Sequence, residues 1–258
     1  MINRFLIALS FLTVLPLKAN KINEKEIVGS VIFFPFVGVL EGAFFVFLIM
    51  GLNSILSSSV ISIILLVFLF SLRGIFHIDG LSDTFDALFY KETGQRERDI
   101  QRRLEIMKDS RVGVGGVVAS VFDILCRFVF FKELIDIDQF MIYIFIFTFS
   151  RWSIIPLMYY GKPARNKGLG ALFVGRISKR QFILSTALPL FLLTYFTLKS
   201  FIFLPLITIF LCIIVMILKN SFETKFSGIT GDHLGATVEI TENVFIFCFL
   251  LCVRWLSY

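Results

Sequence analysis

Long apolar runs recur along nearly the whole of this 258-residue chain, and they dictate what it can fold into. By hydropathy they lie at Val31–Leu52, Ser57–Leu72, Gly115–Phe131, Phe140–Tyr160, Phe182–Leu198, Phe201–Leu218 and Val244–Leu256. A helix crosses the hydrocarbon of a bilayer with roughly 20 apolar residues, and about 17 are tolerated. Composition points the same way. Hydrophobic residues make up 57% and charged residues 17% of the chain, against about 45–50% and about 25% in soluble domains. One globular core of this length cannot hide that excess. The expectation is an all-α, polytopic integral membrane protein with about seven spans, forming a single membrane-embedded domain over residues 1–258. The last run has only 13 residues and is expected to begin inside the polar motif before it. Phe5–Leu17 is also too short to span. It has the look of a signal-peptide core but lacks a small-residue cleavage site, so it reads as a re-entrant or interfacial helix ending at Pro16.

Charge in the connections sets the orientation, because Lys and Arg are retained on the cytoplasmic side. Arg73, Lys91, Arg96, Arg98, Arg102, Arg103, Lys108 and Arg111 crowd one connection. Lys162, Arg165, Lys167, Arg176, Lys179 and Arg180 crowd another. By contrast, Asn53–Ser57 carries no charge, Lys132–Gln139 is mainly acidic and Lys199 stands alone. Seven spans with a cytoplasmic N-terminus satisfy all of these, and place the loops 73–114, 161–181 and 219–243 on the cytoplasmic face of a cytoplasmic (inner) membrane. The net charge of +6 follows this topology, so no nucleic-acid partner is called for. The four cysteines, Cys126, Cys212, Cys248 and Cys252, sit inside apolar runs without metal-ligand spacing and read as small buried hydrophobes.

Against this background "HIDGLSDTFDALF", residues 77–89, stands out. On a helix Asp79, Asp83 and Asp86 fall within roughly 60° of one another. Three carboxylates so close repel unless a cation or protons compensate. Mg2+ does so readily, taking carboxylate oxygens, keeping waters and bridging substrate phosphates. The plainer alternative is a polar helix end with Asp79 as N-cap. In "RRLEIMKDSRVGVGG", residues 102–116, Glu105 and Asp109 share a face while Arg102, Arg103, Lys108 and Arg111 offer donors suited to phosphate oxygens. The plainer alternative there is a solvated amphipathic helix.

"GITGDHLGATVEITE", residues 228–242, combines glycines with Asp232, Glu239 and Glu242 at the entrance to the last span. Such acids are costly there unless partnered. His233 reads as a local hydrogen-bonding residue. "ARNKGLGALFVGR", residues 164–176, offers Arg165 and Lys167 among glycines, which suits an anionic ligand and is explained equally well by topology. Arg151, near the middle of the Phe140–Tyr160 run, must face the protein interior or a polar cavity. Glu41, Asp123 and Arg127 raise the same question, with an i,i+4 pair between Asp123 and Arg127 as the simplest answer. Taken together, the residues describe metal-assisted phosphoryl transfer at a membrane face, with arginines stabilising developing charge and a carboxylate accepting a proton.

These three motifs, together with "FLTVLPL" (11–17), "FPFVGVLEGA" (34–43), "FSRWSIIPLMYY" (149–160) and "ARNKGLGALFVGRI" (164–177), resemble the cobalamin synthase family in order and spacing over nearly the whole chain. Two departures are visible. Thr13 is followed by Val14 where the family typically carries Arg, and Arg73-Gly74-Ile75-Phe76 stands where two glycines are common. Arg73 is a candidate to supply the lost charge.

The resemblance implies a Mg2+-dependent transferase. It would join adenosylcobinamide-GDP to α-ribazole or its 5′-phosphate with release of GMP. On the site read from the residues, the roles expected are Asp79, Asp83 and Asp86 as Mg2+ ligands, with Asp232 and Glu239 as further ligand candidates. Asp83, Asp109 and Asp232 are the catalytic candidates. His77, Arg102, Arg103, Lys108, Arg111, Arg151 and Arg165 are the substrate-binding candidates. Homo-oligomerisation is left open. A CDP-alcohol phosphotransferase-type enzyme is the nearest alternative, echoed by Asp79-Gly80, although the Ala-Arg pair expected shortly after is absent. An ion-coupled transporter using Glu41 and Arg151 ranks behind it, since the charge gathers at one face and no repeat is evident.

Overall fold

A computed structural model describes residues 1–17, 23–199 and 201–255. Twelve α-helices account for most of them: α1 (Ile2–Leu12), α2 (Glu24–Gly29), α3 (Phe34–Leu52), α4 (Ser58–Arg73), α5 (Phe76–Leu88), α6 (Arg96–Ile106), α7 (Val114–Asp136), α8 (Tyr143–Tyr160), α9 (Leu169–Phe173), α10 (Lys179–Lys199), α11 (Leu204–Phe226) and α12 (Gly231–Trp255). Short 3-10 turns at Ser30–Phe33 and Phe140–Ile142 lead into α3 and α8. Among the described residues the only strand-like pairing is a parallel bridge between Pro163 and Ile229.

Six helical stretches are long and apolar enough to cross a membrane: 24–52, 114–136, 140–160, 179–199, 204–226 and 231–254. The pair α4–α5, bent by 89°, brings the number to seven if it counts as one broken span. Each expected run falls on one of these helices. The short last run is explained by α12, which begins at Gly231 inside the acidic motif; Leu256, its expected end, lies outside the described residues. The N-terminal helix ends earlier than expected. Thr13 adopts extended dihedrals (φ −138°, ψ 165°), and its hydroxyl donates to the Leu9 carbonyl at 2.6 Å, three residues before Pro16.

Helix α8 is the axis of the bundle. Fourteen of its residues, including Phe145, Phe147, Arg151 and Pro156, are buried, whereas α7, α10 and α11 turn apolar side chains outward. Phe122, Phe191 and Leu206 are each 65–70% exposed, as lipid-facing residues are in an isolated chain. Aromatic edge contacts hold α3 to α8, with Phe45 and Phe147 centroids 4.8 Å apart. The four cysteines are free and half-buried rather than fully buried.

The bend after α4 positions the chemistry. Gly74 has φ +67° and ψ −165°, a conformation that is essentially reserved for glycine. It directs α5 away from α4, so the Asp-bearing helix crosses the end of the bundle instead of prolonging a span.

A candidate active site where two helices cross

Close backbone approach brings the first and third acidic motifs together. A Cβ on Gly80 would stand 2.6 Å from the Asp232 carbonyl oxygen, and one on Gly235 would stand 3.1 Å from the His77 Cα. Only residues without a side chain allow α5 and α12 to meet so tightly. The crossing places Asp83 within electrostatic reach of Asp79, Asp86, Asp232 and Arg165. Residues more than 140 positions apart in sequence thus share one acidic patch.

Two cavities open at this crossing. The larger, about 280 Å³, is lined by His77, Asp79 and Asp232 on one side and by Ser10, Phe11 and Leu12 of α1 on the other. The smaller, about 200 Å³, is lined by Arg165, Lys167, Thr230 and Asp232, with Gly168 and Gly170 contributing backbone. Asp232 is the polar wall common to both. Beside the smaller cavity runs a short latch, in which the Ala164 N–H donates to the Ile229 carbonyl (3.1 Å) and the Ile229 N–H donates to the Lys162 carbonyl (2.7 Å). A third cavity, about 570 Å³ between α10 and α11, is lined by side chains such as Leu193, Ile209 and Ile213. No charged residue lines it.

The acidic residues differ in how far they are already committed. Asp86 accepts from the backbone N–H of Gly113 (2.7 Å) and Gly116 (2.8 Å). It therefore caps the N-terminus of α7 from a neighbouring helix, where a carboxylate is favoured by the orphan N–H groups and the helix dipole. Glu239 receives the Arg127 guanidinium, with the His77 Nδ1 a further 3.8 Å away, too long for a hydrogen bond. Asp79 and Asp83 accept no hydrogen bond from another described side chain or backbone group.

The cations divide similarly. Arg103 is 3% exposed, paired with Glu92 and donating to the Lys225 carbonyl at 3.3 Å, which fastens α6 to α11. Arg102 pairs with Glu105 on an exposed face. Arg165 donates from Nη2 to the Leu104 carbonyl at 2.7 Å, while its buried Nε has no partner. Lys108 is exposed. Asp109 is held by Arg111 through three side-chain contacts of 2.7–3.2 Å. That guanidinium, followed by the Arg111 backbone N–H, pulls the Asp109 carboxyl down to about 2, so it is fully ionised near neutrality. On α6, hydrogen bonds from Thr93 likewise lower the Asp99 carboxyl and pin the loop before the helix.

Arg151, expected among the substrate-binding cations, is instead fully buried in an ion network that joins five helices. Its Nη2 lies 2.7 Å from Glu41 Oε2, and its Nη1 lies 3.3 Å from Glu242 Oε1. Arg73 bonds Glu41 at 3.0 Å and both oxygens of Glu242 at 2.9 Å. Arg127 bonds Asp123 at 2.8 Å, as the i,i+4 spacing suggests, but reaches Glu242 at 2.6 Å and Glu239 as well. Ser150 adds a hydroxyl donor to Glu242 at 2.7 Å. The sequence marked most of these charges as unusual but counted Arg73 among the loop cations, and it gave no sign that they form one network, because the partners of Arg73 and Arg127 on α12 are 169 and 112–115 residues away. The α1 wall of the larger cavity was missed too: Phe11 and Leu12 belong to the N-terminal motif, but they are apolar and Ser10 is a lone hydroxyl in an apolar run, so none of them signals a site. His233 behaves as expected. Its Nδ1 accepts the Thr230 N–H at 3.1 Å, and its ring stacks on Phe222 at 4.1 Å.

Among the described residues no three His, Cys, Asp or Glu side chains form a ready-made metal cage. Mg2+ is usually held by one or two carboxylates, with waters and substrate phosphates completing its shell. The uncommitted hard-oxygen donors of Asp79 and Asp83, with Asp232 across the crossing, fit that habit.

Comparison with known proteins gives one consistent answer. The family described as Cobalamin-5-phosphate synthase matches residues 4–250. A Thermodesulfovibrio yellowstonii protein named adenosylcobinamide-GDP ribazoletransferase is 71% identical over 260 residues, covering all of both chains. Proteins of the same name from Clostridioides difficile and Thermoanaerobacter pseudethanolicus are 34% and 31% identical, each covering 96% of this chain and 97% of its own. No solved structure matches.

Proposed function

Because the chain belongs to the Cobalamin-5-phosphate synthase family, we propose that the acidic helix crossing is the active site of an adenosylcobinamide-GDP ribazoletransferase. The protein is a transferase of cobalamin assembly. It moves the adenosylcobinamide-phosphate group of adenosylcobinamide-GDP onto α-ribazole or its 5′-phosphate and releases GMP. The observation that carries the placement of the site is the approach of Gly80 to Asp232, which sets uncommitted carboxylates beside two cavities.

In the transfer a ribose hydroxyl oxygen attacks the cobinamide-linked phosphorus and forms the new P–O bond. The bond from that phosphorus to the bridging oxygen breaks, and GMP departs with the oxygen and its electron pair. The hydroxyl proton passes to a carboxylate, a role that suits Asp232 because it borders both cavities. Asp79 and Asp83 would hold Mg2+, which when bound neutralises the diphosphate charge. Asp86 orients the start of α7, and Glu239 belongs to the buried network. Lys108 and Arg102 are accessible to the anionic donor. Arg111 is accessible as well, once it exchanges Asp109 for a phosphate. The cationic loops support an active site and N-terminus on the cytoplasmic side of the inner membrane.

The test is direct. Detergent-purified protein given adenosylcobinamide-GDP, α-ribazole 5′-phosphate and Mg2+ should release GMP, cease on chelation and resume when Mg2+ is restored. Absence of GMP release, with ion flux in proteoliposomes, would point to transport instead.

A further inference from the structure

The smaller cavity has a polarity that the transfer reaction as such does not require. Arg165, Lys167, Thr230 and Asp232 all line it. Arg165 has spent Nη2 on the Leu104 carbonyl, yet its Nε is buried with no partner, a state that costs free energy unless a ligand supplies the acceptor. At about 200 Å³ the space falls below the roughly 300–1,000 Å³ of pockets that enclose a drug-sized ligand. It suits a sugar phosphate and cannot hold a corrinoid.

We propose that this cavity takes the ribose-phosphate end of the acceptor, with Arg165 and Lys167 gripping a phosphate monoester and Asp232 facing the sugar hydroxyl that attacks. The proposal rests on the transferase reading and adds to it a source of selectivity for the 5′-phosphorylated acceptor. A phosphate monoester also occurs in the leaving GMP, so the two sources must be separated. The acceptor is favoured because the cations and Asp232 share one small space, and only the acceptor carries both a phosphate and the hydroxyl that must lose its proton.

Lys167 is exposed, so Lys167→Gln should fold normally. In that variant KM for α-ribazole 5′-phosphate should rise about tenfold or more, the usual scale for losing a charge-assisted bond. KM for α-ribazole and for adenosylcobinamide-GDP should stay within about twofold, and Lys167→Arg should restore the phosphorylated substrate. An equal loss with both acceptors would overturn the proposal. A raised donor KM or weakened inhibition by GMP, with acceptor KM unchanged, would overturn it in favour of the donor.

A binding measurement keeps the subsite distinct from the reaction. Ribose 5-phosphate, but not ribose, should protect Lys167 of the wild-type protein from acylation. Protection without any GMP release would sink the transferase reading and keep the phosphate site, whereas GMP release without protection would do the reverse.

Discussion

The buried ion network and the acidic crossing lie close together and use the same residue types, yet they are built on opposite plans. In the network, Glu41, Arg73, Arg127, Arg151 and Glu242 are 0–3% exposed, and every carboxylate meets at least one guanidinium. At the crossing, the carboxylates of Asp79 and Asp83 accept no hydrogen bond from another described group, and Asp79 lines an open cavity. Charge buried in a membrane protein is tolerated when it is paired, whereas Asp79 is exposed and Asp83 half-buried, so their oxygens stay open to solvent or to a ligand. The paired charges fix five helices relative to one another, with only the Arg151 Nε among the guanidinium nitrogens of Arg73, Arg127 and Arg151 left buried without a partner. An unsaturated patch on that rigid base is free to spend its oxygens on a ligand.

Breaking the network should therefore destroy structure, whereas breaking the patch should destroy only turnover. The largest effect is expected for Glu242→Ala, which strips a shared partner from Arg73, Arg127 and Arg151. Removing one side of a buried ion pair costs about 3–5 kcal/mol, so the yield of folded protein and its unfolding midpoint in detergent should fall sharply. A midpoint unchanged from wild type would erase the contrast.

Asp83→Asn should leave that midpoint intact and lower GMP release by about 10²-fold or more, as for loss of a group acting directly on the reacting phosphate. Retained turnover would remove Asp83 from the site.

Gly80→Ala probes the seam between the regions. Its new Cβ would meet the Asp232 carbonyl at 2.6 Å, and backbone cannot yield as a side chain can. A destabilisation of about 1–3 kcal/mol is expected, accompanied by a fall in kcat larger than any change in acceptor KM. The smallest effect is expected for Asp109→Asn. It breaks an exposed pair with Arg111, a class of contact that contributes little to stability, so the unfolding midpoint should not move. Turnover should hold steady or improve as Arg111 is freed, and a large loss would restore Asp109 to the catalytic set.

How much of this the sequence made legible depends on the range of the interaction. Hydrophobic runs and the spacing of Asp79, Asp83 and Asp86 are local, and both led to the correct elements. The Asp123–Arg127 pair was visible for the same reason, one helical turn apart. What stayed hidden is long-range. Asp86 has the spacing of a ligand but spends its oxygens on the N–H groups of Gly113 and Gly116, 27 and 30 residues away. Arg151 was rightly read as facing the interior, but its partners Glu41 and Glu242, 110 and 91 residues away, could not be chosen by pattern. The loop at 164–176 reads equally well as an anion-binding loop or as positive-inside bias, and its pairing with residues beside Asp232 places it at a cavity.

That pairing has a mechanical consequence. The backbone just before Arg165 and the backbone just before Asp232 are stitched together by the Pro163–Ile229 bridge. The main-chain bases of the two jaws of the smaller cavity are therefore tied to each other, and the long Arg165 and Lys167 side chains reach from that shared base. Such a caliper measures the length of whatever is placed in it. A molecule with its anionic end too near or too far from its nucleophilic end would fail to register at both jaws.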